Sequence, residues 1–270
     1  MAKLVRELMH KGVLTCKPDA TLGDVAKSLS ENHVHALFVV GPDGNIVGII
    51  TDFDLLAGEW LSADPQSLEV MRNLTAGDLM SSPVNTVEAA LPAREAAKRM
   101  QELVERRLLV IDNGSPVGVI SVSDIVASIA ERAITQRKNV ADVMSDVFLT
   151  CREKTPIPSA ARAMTSSGWR SVLVVDSMGK PLGVVSGLDL IPFCDLENGC
   201  GATTVSDIMH PALTIHMNAT LQEAAQKLIE NHHHRLIVVD PAQPDTIPLG
   251  IVSSFDIVAE MARPGSDWQK

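Results

Sequence analysis

The sequence predicts an α+β fold made of four copies of one strand–helix–strand–strand–helix (βαββα) unit. Three observations carry that prediction. One stretch occurs four times, first as Gly48-Ile49-Ile50-Thr51-Asp52-Phe53-Asp54-Leu55. It returns as Gly118-Val119-Ile120-Ser121-Val122-Ser123-Asp124-Ile125, Gly183-Val184-Val185-Ser186-Gly187-Leu188-Asp189-Leu190 and Gly250-Ile251-Val252-Ser253-Ser254-Phe255-Asp256-Ile257. A threonine closes a short apolar run at Thr15, Thr86, Thr150 and Thr214, and from each the copies align without a gap into the next strand. Six residues after each threonine an amphipathic helix begins, with apolar residues at i, i+3, i+4 and i+7.

Each element has a local reason. The helices carry Leu22, Val25, Ala26 and Leu29, then Ala93, Ala96, Ala97 and Met100. The third has Ile157, Ala160, Ala161 and Met164, and the fourth Leu221, Ala224, Ala225 and Leu228, each set making one buried face. Thr21 with Asp24 and Thr220 with Glu223 fit a capping box, Asp being the weaker partner. Pro92 and Pro156 suit a helix start, where no N–H partner is lost. Strands follow at 37–40, 108–111, 172–175 and 236–239, then turns rich in Gly, Asp, Asn and Pro. The fourth turn, Asp240 through Pro248, is longer. The β-branched pair after each motif glycine ends a buried strand, and the hydroxyl residue after it caps a second helix. The motif aspartate falls in the first turn of that helix, where a negative charge suits the helix dipole. Ahead of each threonine, a short segment ends in Met9, Met80, Met144 or Met209. A unit of about 60 residues buries a marginal core, so the repeats are expected to pack in pairs.

The bulk composition narrows the function. The chain has 270 residues, 46% hydrophobic and 21% charged, enough for a true core. A net charge of −10 disfavours a general binder of nucleic acid or anionic membranes. No apolar run approaches the ~18 residues of a membrane span. The N-terminus opens into amphipathic sequence with no signal-peptide core, so a cytoplasmic location is expected. The four cysteines, Cys16, Cys151, Cys194 and Cys200, form no Cys-x-x-Cys motif.

The unit resembles the CBS domain, the module named after cystathionine β-synthase. The likeness rests on the aliphatic-x-x-aliphatic-Met start, the apolar-Thr segment and the Gly-aliphatic-aliphatic-[Ser/Thr]-x-x-Asp-aliphatic stretch. It implies repeats at 1–62, 70–132, 135–198 and 200–263, with a tail at 264–270. The resemblance further implies that the repeats pair into two Bateman modules in a disc-like pseudo-dimer. That layout is similar to the regulatory gamma subunit of AMP-activated protein kinase.

The resemblance also implies the site. Asp54, Asp124, Asp189 and Asp256 would accept the 2′- and 3′-hydroxyls of a ribose, beside Thr51, Ser121, Ser186 and Ser253. Two-acceptor carboxylate chemistry fits a vicinal diol, although helix capping alone also explains a hydroxyl followed by an acid. Repeat 2 has the fullest set, because Ser123 can also donate to phosphate. The phosphate-contacting positions are His35, Arg106, Arg170 and His234, with Arg107 and Arg235 one residue on in the even repeats. The segments Thr15-Cys16, Thr86-Val87, Thr150-Cys151 and Thr214-Ile215 would lie against adenine. Cys16 and Cys151 read as small buried hydrophobes. Their place in the odd repeats only suggests that a two-repeat module was duplicated.

His232-His233-His234 invites a metal, with His210 or His216 as a third ligand, but no acid or Cys stands at ligand spacing and none is expected. No nucleophile–base pair, Walker loop or catalytic acid pair is present, so an enzyme is not expected. No catalytic cofactor is expected. The ligand expected is an adenosine nucleotide (AMP, ADP or ATP), in clefts between repeats. S-adenosylmethionine, a dinucleotide or a ligand-independent scaffold role are the alternatives. The expected partners are a protein effector and a second copy of the chain, with neither nucleic acid nor membrane.

Overall fold

The computed structural model describes residues 3–57, 65–131, 138–193, 203–240, 242 and 247–266. Cys194 and Cys200, most of the fourth turn and the end of the tail lie outside these residues.

All four repeats build the same sheet. In repeat 1, Thr15–Cys16 runs parallel to Ala36–Val40, which pairs antiparallel with Ile46–Thr51. Thr86–Glu88, Thr150–Arg152 and Thr214–His216 take the same edge place in the other repeats. The central strands are Arg107–Asp112, Ser171–Val175 and Arg235–Val239, each almost wholly buried along its aliphatic run. The first helices span Leu22–Glu31, Ala93–Leu103, Ile157–Ser167 and Leu221–Glu230, and they bury the stripes that periodicity picks out. The box at Thr220 closes in both directions, while at Thr21 only the hydroxyl end accepts a backbone N–H, as the shorter Asp24 would have it. An added helix, Pro65–Asn73, which periodicity does not single out, follows repeat 1 and packs against its first helix.

The opening segments are exchanged between neighbouring repeats. After the one-turn α-helix Val5–Leu8, the strand His10–Lys11 pairs with Ser115–Ser121 of repeat 2, with His10 opposite Val119. In return Ser81 bridges to Ile49 of repeat 1. Repeats 3 and 4 do the same: Ser145 bridges to Ile251, and His210–Pro211 pairs with Pro181–Ser186. The exchange covers the open edge of each third strand, which would otherwise present unpaired N–H and C=O groups. It also explains the glycine that opens every motif. A Cβ on Gly183 would sit 2.6 Å from the carbonyl oxygen of His210, and one on Gly250 2.5 Å from that of Ser145. Gly118 faces the His10 carbonyl and Gly48 the Met80 sulfur in the same way. No side chain fits beneath the incoming strand.

The buried cores join alternate repeats. One compact unit holds Met1–Val13, Asn85–Val147 and Leu213–Lys270, the other Leu14–Val84 and Phe148–Ala212. In the first, the first helix of repeat 2 packs on the second helix of repeat 4 (Ser254–Ala262). There the second helix of repeat 2 (Val122–Ala130) also packs on the first helix of repeat 4. Met100, Ile125, Leu228 and Ile257 are fully buried in that core. In the other unit, Leu29, Leu55, Met164 and Leu190 are the fully buried counterparts from repeats 1 and 3. Burying one such side chain contributes about 1.5–3 kcal/mol. Adjacent repeats are thus tied by their openers, while alternate repeats share the apolar faces of their helices.

Candidate functional site

Strand order fixes where the chemistry gathers. The hydroxyl residue that ends each third strand lies opposite the first residue of the central strand: Thr51 by Ala36, Ser121 by Arg107, Ser186 by Ser171, Ser253 by Arg235. The threonines of the edge strands pair two residues further along, Thr15 with Phe38, Thr86 with Leu109, Thr150 with Leu173 and Thr214 with Ile237. The threonine segment, the basic pair and the hydroxyl–Asp pair of every repeat therefore share one end of its sheet.

The four aspartates adopt one geometry. Oδ2 of Asp54 accepts the backbone N–H and the hydroxyl of Thr51, each at 2.7 Å. Oδ2 of Asp124 does the same with Ser121, both at 2.7 Å. Asp189 and Asp256 repeat it with Ser186 and Ser253 at 2.6–2.7 Å. So each acid does cap its helix start, and one oxygen is consumed by that role. Burial pushes the Asp54 carboxyl above the usual range, against the pull of its Thr51 bonds and of Arg170.

The second oxygen divides the repeats. Oδ1 of Asp124 lies 2.8 Å from Nε2 of His10, and Oδ1 of Asp189 lies 2.9 Å from Nε2 of His210. Both histidines arrive on exchanged openers. Among the described residues no hydrogen bond or ion pair reaches Oδ1 of Asp54 or Asp256. The openers that serve those repeats carry Ser81 and Ser145 in the histidine position.

The basic positions reach across to the paired repeat. The Arg170 guanidinium of repeat 3 stacks 4.7 Å above the Phe53 ring of repeat 1. Arg106 of repeat 2 lies 5.3 Å from the Phe255 ring of repeat 4. His234 of repeat 4 sits 3.5 Å from the Ser123 hydroxyl of repeat 2. His35 instead holds Asp52 of its own repeat, Nδ1 to Oδ2 at 2.9 Å, and Arg170 lies 3.9 Å from the other Asp52 oxygen. Asp52 is buried and packs where a Cβ on Gly187 of repeat 3 would come within 3.3 Å of its carboxylate.

A cavity of about 770 Å³ opens in the unit of repeats 2 and 4. Asp256, Glu260 and Arg263 line one wall, Arg94 and Lys98 the other. Its volume falls in the range of small-molecule sites.

Cys16 and Cys151 are half-buried thiols whose pKa burial pushes up, the behaviour of packing residues. Among the described residues no group of three His, Cys, Asp or Glu could hold a metal ion. Within the histidine run, His232 takes a positive φ of 54° at a helix end, and Nδ1 of His233 lies 2.6 Å from the Asn231 carbonyl. No helix of the described residues is long and apolar enough to cross a membrane. Sequence reasoning missed His10, Asp52 and the ring role of Phe53 and Phe255. Their signal is a departure from the repeat: His after the opener methionine in two copies and Ser in two, with Phe in two variable positions.

The family model for the CBS domain matches residues 5–59, 76–131, 140–194 and 205–263. A CBS domain-containing protein of Dictyostelium discoideum is 37% identical over 131 residues, 47% of this chain and 90% of that protein. An uncharacterized protein of Methanocaldococcus jannaschii is 27% identical over 189 residues, 69% of this chain but 42% of its own length. The crystal structure of another M. jannaschii protein, described as a candidate archaeal homologue of g-AMPK, superposes with a TM-score of 0.81. It covers 95% of this chain and 99% of its own at 20% identity, a likeness of fold.

Proposed function

The chain belongs to the CBS-domain family, and from that premise we propose that it is a regulatory protein that binds adenine nucleotides (AMP, ADP or ATP) and relays their presence to a protein effector. One observation carries the reading. At repeats 1 and 4 an aspartate with an open oxygen stands beside an arginine delivered by the paired repeat, at the sheet end that also holds the threonine segment. An ionised carboxylate suits a vicinal diol, and a guanidinium suits phosphate. Because the arginine and the carboxylate come from different repeats, a nucleotide would favour the arrangement in which the two are correctly placed. Such differential affinity is all that a ligand needs to shift an equilibrium between shapes.

The test is thermal unfolding of the full chain with AMP, ADP and ATP. A ligand that binds only the native state adds about 2.7 kcal/mol at a hundredfold excess over Kd. A clear upward shift with at least one nucleotide is expected, and mass spectrometry of ligand released from the purified protein would identify the natural one. Flat melting curves with all three at millimolar concentration would remove adenine nucleotides as ligands.

A further inference from the structure

We propose that repeats 1 and 4 hold the open ribose sites, whereas His10 and His210 close the carboxylates of repeats 2 and 3. The inference rests on the nucleotide reading above and deepens it by assigning the sites. In every repeat the backbone N–H and hydroxyl of the Ser or Thr take Oδ2 of the aspartate. A diol that donates twice needs Oδ1 as well, so the fate of Oδ1 decides which repeat can accept it. In repeats 2 and 3 an imidazole nitrogen already sits on that oxygen, at 2.8 and 2.9 Å. The His10 side chain is 79% exposed and that of His210 59%, while Asp124 and Asp189 are 9% and 19% exposed. Each ring therefore lies on the solvent side of its acid, where a ligand would approach.

Residues from three different segments draw the same line. The openers serving repeats 1 and 4 place serine at the histidine position, and the Ser145 hydroxyl turns instead to the Val147 carbonyl at 2.8 Å. The second variable position of the motif is Phe53 and Phe255 in repeats 1 and 4, but Ser123 and Leu188 in repeats 2 and 3. The cation crossing from the paired repeat onto those rings is Arg170 and Arg106. Opener, helix and loop thus change together. Asp256 also borders the cavity of about 770 Å³, whose lining includes none of the sheet-end basic or threonine positions. The split between repeats 1 and 4 and repeats 2 and 3 differs from the odd–even alternation of the cysteines, because openers are exchanged between neighbours while cations cross between alternate repeats.

Calorimetric titration of the full chain with AMP and 2′-deoxy-AMP tests the assignment. Two AMP sites are expected in the wild type, one after Asp54→Ala or Asp256→Ala, and four in the double variant His10→Ala with His210→Ala. The two histidine rings are largely exposed, and backbone bonds hold the openers independently of them. Four sites in the wild type, or no gain in the double variant, would overturn the assignment. A total failure of AMP to bind would instead count against the nucleotide reading. The closure then has its own readout, carbodiimide labelling of carboxylates with a primary amine, read by mass spectrometry without ligand. Labelling of Asp124 and Asp189 should rise several-fold in the double variant, and unchanged labelling would overturn the closure.

Discussion

The two compact units use one plan with different charged residues at their sheet ends. At the sheet ends of repeats 2 and 4, the basic positions are Arg106, Arg107, His234 and Arg235. The same four positions in repeats 1 and 3 are His35, Ala36, Arg170 and Ser171. The second unit also adds a buried acid, Asp52, where the first has Val122 and Ser254. That carboxylate draws both His35 and Arg170 toward itself. Under the nucleotide reading proposed above, the three arginines of repeats 2 and 4 would suit more phosphate charge than repeats 1 and 3, whose arginine and histidine face the Asp52 carboxylate. One scaffold thereby acquires two charge settings without changing its backbone.

The largest expected effect tests whether alternate repeats are the real units of stability. Leu228 is fully buried in the core of repeats 2 and 4. Leu228→Ala should cost about 2–5 kcal/mol by transfer and cavity terms. Hydrogen exchange should then speed up in the helix Val122–Ala130 of repeat 2, while Ile157–Ser167 of repeat 3 keeps its protection. Loss of protection in repeat 3 without loss in repeat 2 would break the comparison.

The second test concerns charge. Losing a charged hydrogen bond is worth about 1.5–3 kcal/mol, so Arg106→Ala should weaken ATP roughly ten- to 150-fold at its unit. Arg170→Ala should cost less, since Asp52 already engages that side chain, and Asp52→Asn should tighten ATP binding at repeat 1. Titration calorimetry of the three variants gives the order, and equal losses for both arginines would erase the electrostatic distinction.

The smallest effect compares one helix end in the two units. Val104 takes a left-handed φ of 57° where repeat 3 has Gly168 at 72°. A β-branched residue is strained there, whereas glycine is not. Val104 is also 76% exposed, so its side chain packs little. Val104→Gly should stabilise the chain by about 1 kcal/mol, read as a rise in the denaturant midpoint, and a drop would mean that the strain is absent.

Much of this was legible in the sequence because it is local. The motif, the helix stripes Leu22 to Leu29 and Leu221 to Leu228, and the caps at Thr21 and Thr220 depend on neighbours within one turn or one strand. What stayed hidden depends on which element meets which. Nothing near His10 says that it will face Asp124 of the next repeat, because the opener leaves its own sheet. Arg106 and Phe255 belong to different repeats and meet only when the helix faces of repeats 2 and 4 close. Asp52 occupies a variable position of the pattern, so its burial against Gly187 follows from packing that no periodicity encodes. Repeat 2 carries the fullest set of polar residues, and its Asp124 is one of the two acids that a histidine engages.

The exchanged openers also bear on how the chain is made. Synthesis runs from the N-terminus, and domains generally fold as they emerge. Residues 5–11 leave the ribosome well before the strand they pair with, which ends at Ser121. Repeat 1 in turn needs Met80 and Ser81 from its successor before its own sheet edge is covered. The nascent chain therefore carries that opener unattached for more than a hundred residues of translation, and the helix faces of repeats 1 and 2 wait longer still, until repeats 3 and 4 supply their core partners.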